Sequence, residues 1–227
     1  MRTWESPPQL IPYSFDEVVS VFWNRYPNSK ASHIVSEDVL ERKEPFNSVH
    51  CAPPTIFQVV GDKIVTKKLI VKKGASFLKA APKWVSKLTN VQMVPTIEES
   101  VFDRAARKLT TYTRNVAWTS IFHMHERCVY TPIEWIRNEQ STSRASIGRA
   151  VFVDVNYGAL DPLIERVFVL SFRNSIKKTA AGLIEKLEER FGMPASGVSY
   201  AGGKISQKAA EIKGKILQKS KIGFEKA

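Results

Sequence analysis

Few residues in this chain have the types and spacing that covalent chemistry needs. His123-x-His125-x-x-Cys128 offers three metal-ligating side chains. On a strand, however, the two histidines share one face and Cys128 takes the other, so ordinary sheet residues are the better reading. Glu98 and Glu99 are adjacent, which on a strand sends them to opposite faces instead of pairing them as acid and base. Gly202-Gly203-Lys204 imitates a phosphate loop and fails it twice: position 198 is Val where the motif needs Gly, and position 205 is Ile where it needs Ser or Thr. No Gly-x-Ser-x-Gly, His-Glu-x-x-His or Cys-x-x-Cys occurs. The expectation is a protein that is not an enzyme and uses no cofactor or metal.

The chemistry that remains is electrostatic. The formal net charge is +12, and it is concentrated. Residues 61–90 hold eight Lys against Asp62, a net of +7, and residues 191–227 hold seven Lys against two Glu, a net of +5. The remaining 160 residues balance 19 basic against 19 acidic groups. A neutral body with two cationic attachments points to an anionic partner: nucleic acid, a phospholipid surface or an acidic protein. Against that stands the plainer reading of each Lys run as a solvated face. Apolar residues, at 43% of the chain, suffice for a core and exclude a disordered chain. No run reaches the roughly 18 apolar residues of a membrane-spanning helix. Cys51 and Cys128 are too few for a secreted disulfide framework. Residues 1–16 show neither an apolar signal segment nor an Arg-rich presequence.

The elements that must position these charges are legible in outline. Ser14 and Glu17 form a capping box, Tyr13 and Val18 a hydrophobic staple, and Phe15, Val18, Val19 and Phe22 one helical face. Pro27 bounds that helix. Residues 33–42 predict a strand, 45–55 a proline-rich loop, and 56–71 a β-rich stretch broken at Gly61-Asp62. Residues 75–88 space Phe77, Leu78, Trp84 and Leu88 helically among lysines, with Pro82 as a kink. Strands near 91–102, 107–117, 119–131 and 145–156 imply an antiparallel meander. Asp161 and Pro162 open a long helix that Gly192 ends, with a first half apolar nearly all round. Residues 191–203 read as a linker. The tail 204–227 spaces isoleucines among lysines, an amphipathic basic helix for an anionic membrane or else a disordered segment.

Phe22-Trp23-Asn24-Arg25-Tyr26-Pro27-Asn28, then His33 and Glu37-Asp38-Val39-Leu40-Glu41-Arg42, resembles the opening of the PRELI-like (PRELI/Ups) family. Pro82-Lys83-Trp84, Thr110-Thr111-Tyr112-Thr113-Arg114-Asn115, Glu126-Arg127-Cys128-Val129-Tyr130 and Phe172 with Lys177-Lys178 continue the resemblance in order, over about residues 1–190. It implies an α+β fold: a curved antiparallel sheet of about seven strands wrapped on a long C-terminal helix, enclosing an apolar lipid cavity under a lid at 72–83. It implies a carrier of phospholipid across the mitochondrial intermembrane space, phosphatidic acid in the branch most similar, with a small helical twin Cys-x9-Cys partner. Residues 45–60 depart from the family as an insertion. Arg25, His33, Lys68, Lys72 and Lys178 match the family's polar positions and are the head-group candidates. Lys73, Phe77, Leu78, Lys79 and Trp84 are the candidates for lid and membrane contact. Arg25 suits phosphate by its planar fork, although a cation after a helix C-terminus also complements the dipole. On this reading Arg25→Glu abolishes transfer with the fold intact. The rival reading is a basic nucleic-acid-binding module, and a lipid hydrolase is disfavoured for want of a nucleophile.

Overall fold

Ser14 caps the first helix, α1 (Phe15–Phe22), as the sequence predicts. Its Oγ accepts from Glu17 N at 3.3 Å, and Ser14 N donates to Glu17 Oε2 at 2.7 Å. Phe15, Val18, Val19 and Phe22 are all buried, and Tyr13 with them. The computed structural model describes residues 1–43, 62–73, 93–120, 122–137, 140–156, 158 and 161–194. The expected insertion, most of the expected lid (Phe77, Leu78, Lys79 and Trp84 included) and the tail lie outside the described residues.

Eight strands form one curved antiparallel sheet: β1 (Arg2–Glu5), β2 (Gln9–Ile11), β3 (Ile34–Lys43), β4 (Lys63–Lys73), β5 (Met93–Asp103), β6 (Lys108–Asn115), β7 (Phe122–Arg137) and β8 (Gln140–Val155). The order is β1-β8-β7-β6-β5-β4-β3, with β2 also paired to β8. From β3 onward this is the expected meander. Two differences have physical reasons. β1 and β2, of four and three residues, are too short to show a period, and Pro7-Pro8 separates them. β7 and β8 run sixteen residues each and pair along their whole length from Phe122↔Val155 to Arg137↔Gln140. Pro132, a residue that a strand interior seldom holds, hid that extension in the sequence.

The long second helix, α2 (Asp161–Phe191), packs on β8, β1 and α1. Gly192 ends it at φ 75°, its N–H bonded to Glu188 O at 2.9 Å, the left-handed stop expected of a glycine there. The first half is less enclosed than its composition predicts. Ile164, Phe168, Val169 and Phe172 are buried, while Leu163 and Leu170 stand 47% and 44% exposed, because the sheet meets one flank only.

Two apolar clusters result. One gathers α1, Leu109, Tyr130, Ala145 and Ile147 with Leu183, Ile184 and Leu187 of α2. The other joins Phe122, Val151, Val153 and Val155 to Ile164, Phe168, Val169 and Phe172, with the Phe122 and Phe168 rings stacked at 5.0 Å. A 3-10 turn, Ser29–Ala31, docks the segment after α1 onto α2. Ser29 N and Oγ both bond the Glu185 carboxylate, and Asn28 lies so near the helix that a Cβ on Gly182 would fall 2.5 Å from Asn28 Oδ1. Gly182→Ala is therefore expected to destabilise the protein by about 1–3 kcal/mol although alanine favours helix. A urea midpoint unchanged or raised would show that Asn28 gives way freely.

Candidate functional site

Strand alternation puts the even-numbered residues of β4, β5 and β7 and the odd-numbered ones of β6 and β8 on the helix side of the sheet. Register lines them up in rows. Ile64, Phe102, Leu109, Tyr130 and Ile147 make an apolar row beneath α1. Beside it runs a polar row, Thr66, Ser100, Thr111, Cys128 and Arg149. A charged row follows: Lys68, Glu98, Thr113, Glu126, ending on Val151. A polar belt thus crosses the interior between the two apolar clusters.

Three ion pairs stabilise the belt. Arg25 Nη2 meets Glu98 Oε2 at 2.5 Å, the two side chains 6% and 8% exposed. Arg25 Nη1 also donates to Phe22 O at 2.9 Å, and the guanidinium lies over the Phe22 and Tyr26 rings at 4.2 and 4.7 Å. Burial works against its charge, but the Glu98 carboxylate together with Tyr26 and Tyr130 outweighs burial and holds Arg25 protonated well beyond its ordinary range. Lys68 Nζ donates to Glu37 Oε1 at 2.8 Å and to Trp23 O at 2.7 Å. Arg149 Nη1 meets Glu126 Oε1 at 3.2 Å. Glu98 Oε1, Thr66 Oγ1 and Arg149 Nε and Nη2 are buried without a hydrogen-bond partner among the described residues, costly positions in a closed apolar core.

Lys72 differs from these. It sits at the end of β4, half-buried, with neither a hydrogen bond nor an ion pair among the described residues. Burial lowers its pKa; Glu126 and Glu98 draw it back up, and Arg25 lowers it further. Those influences place the ammonium beside the charged row. His33 lies next to it: Ile34 pairs with Lys72, and Lys73 N donates to His33 O at 2.7 Å. The His33 pKa is lowered by burial, then by Lys72 and Lys178. Lys72 from the end of β4 and Lys178 from the middle of α2 thus make a positive site around His33 at the start of β3, and its burial and their charge hold His33 toward the neutral form.

That site fixes a pH response. With its folded pKa below the ordinary 6.5, His33 is protonated more readily in the unfolded chain. Its contribution to stability is complete above that value and is lost as the pH falls through it. His33→Gln should flatten the acid limb of a urea-midpoint profile just below pH 6.5; an identical limb in the variant would assign the slope elsewhere.

Of the five head-group candidates, the structure brings His33, Lys72 and Lys178 together. Arg25 and Lys68 sit deeper, each bound to a glutamate. The dipole reading of Arg25 holds in part, since the side chain bonds the Phe22 carbonyl at the helix end. Lys73 is exposed at the end of β4. Glu98 and Glu99 do face opposite ways: Glu99 is on the outer face 3.5 Å from Lys67. His123 and His125 are likewise exposed on the outer face while Cys128 is buried. Glu37, Glu98, Glu126 and Arg149 are site residues that sequence reasoning missed. The available signal was charge at alternate, otherwise inward positions of strands.

The family model described as PRELI-like matches residues 55–193. The human PRELI domain-containing protein 1, mitochondrial, is 25% identical over 173 residues, covering 74% of this chain and 68% of the relative. The Saccharomyces cerevisiae protein UPS1, mitochondrial, is 27% identical over 184 residues, covering 79% and 91%. Among solved structures, the Zhui aromatase/cyclase from Streptomyces aligns with a TM-score of 0.51 at 11% identity over 87% of this chain and 99% of that one. A protein from Thermus thermophilus aligns at 0.50 and 10% over 84% and 99%. The shared sheet and long C-terminal helix are those of the START/Bet v1-like fold. With most of the described sheet and all of α2 inside the matched span, and the motifs around Arg25 and His33 preceding it in order, the chain belongs to the PRELI-like family.

Proposed function

We propose that the protein carries anionic phospholipid, phosphatidic acid foremost, between mitochondrial membranes across the intermembrane space. The observation that carries this reading is the convergence of His33, Lys72 and Lys178, without an acidic partner among the described residues, at one end of a curved sheet. Membership of the PRELI-like family and the mitochondrial names of the relatives support it. A phosphomonoester brings two negative charges and three acceptor oxygens to such a site. Moving the acyl chains through water unaided costs roughly 24 kcal/mol for about thirty methylenes. A carrier removes that barrier by shielding the chains between the sheet interior and α2, where Ile70 and Val94 give apolar contact beside Lys72.

In this reading residues 1–190 are the transfer domain, 191–203 a linker and 204–227 a Lys-rich tail. A lid at 72–83 gates the cavity, and Lys73, Phe77, Leu78, Lys79 and Trp84 touch the membrane. A small helical twin Cys-x9-Cys protein of the intermembrane space is the expected partner. The protein catalyses no reaction; it lowers a transfer barrier. The test is the movement of fluorescent phosphatidic acid between liposomes, with and without that partner. Acceleration in proportion to protein supports the proposal. No acceleration, with the partner present, ends it.

A further inference from the structure

The β6–β7 connection holds a bulky residue in a conformation that bulky residues avoid. Trp118 has φ 65°, in the left-handed region, yet its side chain remains 39% exposed. Its neighbour Val116 is 37% exposed. Left-handed backbone at a tryptophan persists only where the surroundings impose it. Here they do. Asn115 is 4% exposed and spends its whole amide on this connection: Nδ2 donates to Ala117 O at 2.8 Å and to Phe122 O at 3.0 Å, and Oδ1 accepts from Met124 N at 2.8 Å. Phe122 N closes the turn onto Trp118 O at 2.9 Å, and Val116 N bonds Pro95 O at 3.2 Å. A buried side chain thus braces a tight loop that displays two apolar residues instead of tucking them in.

Place in the fold gives the display its meaning. Register puts this loop at the end of the sheet where β3 begins, β4 finishes, β5 begins and β8 hands over to α2: Thr96↔Asn115, Lys72↔Val94 and Phe122↔Val155 all lie there. At that end Val35, Met93 and Leu163 are also exposed, at 48%, 49% and 47%. Cations lie there too: Lys73 is exposed, and half-buried Lys72 is next to it without an ion-pair partner among the described residues. Apolar tips interspersed with cations around one end of a domain complement an anionic bilayer, where indole sits at the head-group level and ammonium groups meet lipid phosphate.

We infer that the rigid Val116–Trp118 loop is a membrane anchor that docks this end of the domain on an anionic bilayer surface. It is fixed by Asn115. The inference extends the transfer reading by naming where the carrier touches its membranes, and bilayer docking can be measured without measuring transfer. Because the loop is prearranged, contact needs no ordering of the chain.

Trp118→Gly separates docking from folding. Glycine accepts φ 65° without strain, so the variant should be as stable as wild type or more so. Flotation with phosphatidylcholine vesicles containing phosphatidic acid should nonetheless fall by about tenfold in partition coefficient, the effect of withdrawing one interfacial indole. Val116→Glu should act likewise, and Tyr112→Ser, on the outer face at 48% exposure, should change nothing. A folded Trp118→Gly variant that floats like wild type overturns the inference, as does equal loss in Tyr112→Ser. If wild type docks through Trp118 but moves no lipid between vesicles, the anchor stands and the transfer proposal falls. If it moves lipid with docking indifferent to Trp118, the reverse holds.

Discussion

Glu98→Ala should lower the stability of the folded protein by about 3–5 kcal/mol, enough to consume a large part of what a domain of this size has. The size follows from asymmetry. Arg25 and Glu98 are each buried, 2.5 Å apart, and the guanidinium has already given up its water to the Phe22 and Tyr26 rings. Removing the carboxylate strands a buried cation with only neutral acceptors, the Phe22 carbonyl and the Tyr26 hydroxyl, among the described residues. Arg25→Ala should cost a similar amount, because among the described residues Glu98 Oε1 already lacks a partner and Oε2 would then lack one too. The paired replacement Arg25→Met with Glu98→Leu should recover most of the loss, since an apolar pair needs no solvation. Urea unfolding checks all three; a loss below about 1 kcal/mol in both single variants would mean that the belt is far wetter than its burial implies. Arg25→Glu, which the sequence alone recommends as a clean functional probe, sets two carboxylates together in a buried place and is expected to unfold the domain.

Lys72→Gln should do the opposite: abolish transfer while leaving stability unchanged or higher. Lys72 has no ion-pair partner among the described residues, and both burial and Arg25 oppose its charge. Taking that charge away relieves the empty protein, in which Glu126 and Glu98 offset it only in part. Under the proposed function the ammonium would meet the lipid phosphate in a partly dry site, and its loss should reduce transfer of phosphatidic acid at least tenfold. Transfer and thermal melting measured on the same preparation decide the matter. Reduced stability with unaltered transfer would make Lys72 a structural residue and remove the centre of the proposed site.

The contrast between these two residues shows what the sequence could and could not disclose. Helix boundaries were legible because capping is local: Ser14 with Glu17, and Gly192 after Phe191, declare themselves within a few positions. The strands from β3 to β6, and β7 and β8 apart from their joined ends, were legible from β-branched and aromatic runs. The family resemblance picked out five cations, yet nothing local could rank them. Arg25 finds Glu98 across 73 positions and Lys68 finds Glu37 across 31, and such pairings exist only once the sheet has formed. Charged residues at inward strand positions also broke the apolar alternation that marks a core face, so the polar belt looked like solvent-facing sheet. Lys72, by contrast, became distinctive through what does not meet it.

β8 contributes Ala145 and Ile147 to one apolar cluster and Val151, Val153 and Val155 to the other, with Arg149 in the belt between them. A single strand is thus common to both halves of the core, and it is hydrogen-bonded to β7 on one side and to β1 and β2 on the other. Neither cluster can open without disturbing it. Backbone amides of the β7–β8 pair, from Phe122 to Tyr130 and Ile147 to Val155, should accordingly exchange with deuterium only through global unfolding. Those of β3, an edge strand with two irregularities in its register, should exchange through local fraying. The slow core therefore lies across the sheet from β3, which leaves the edge that begins beside His33 free to breathe while the domain stays folded.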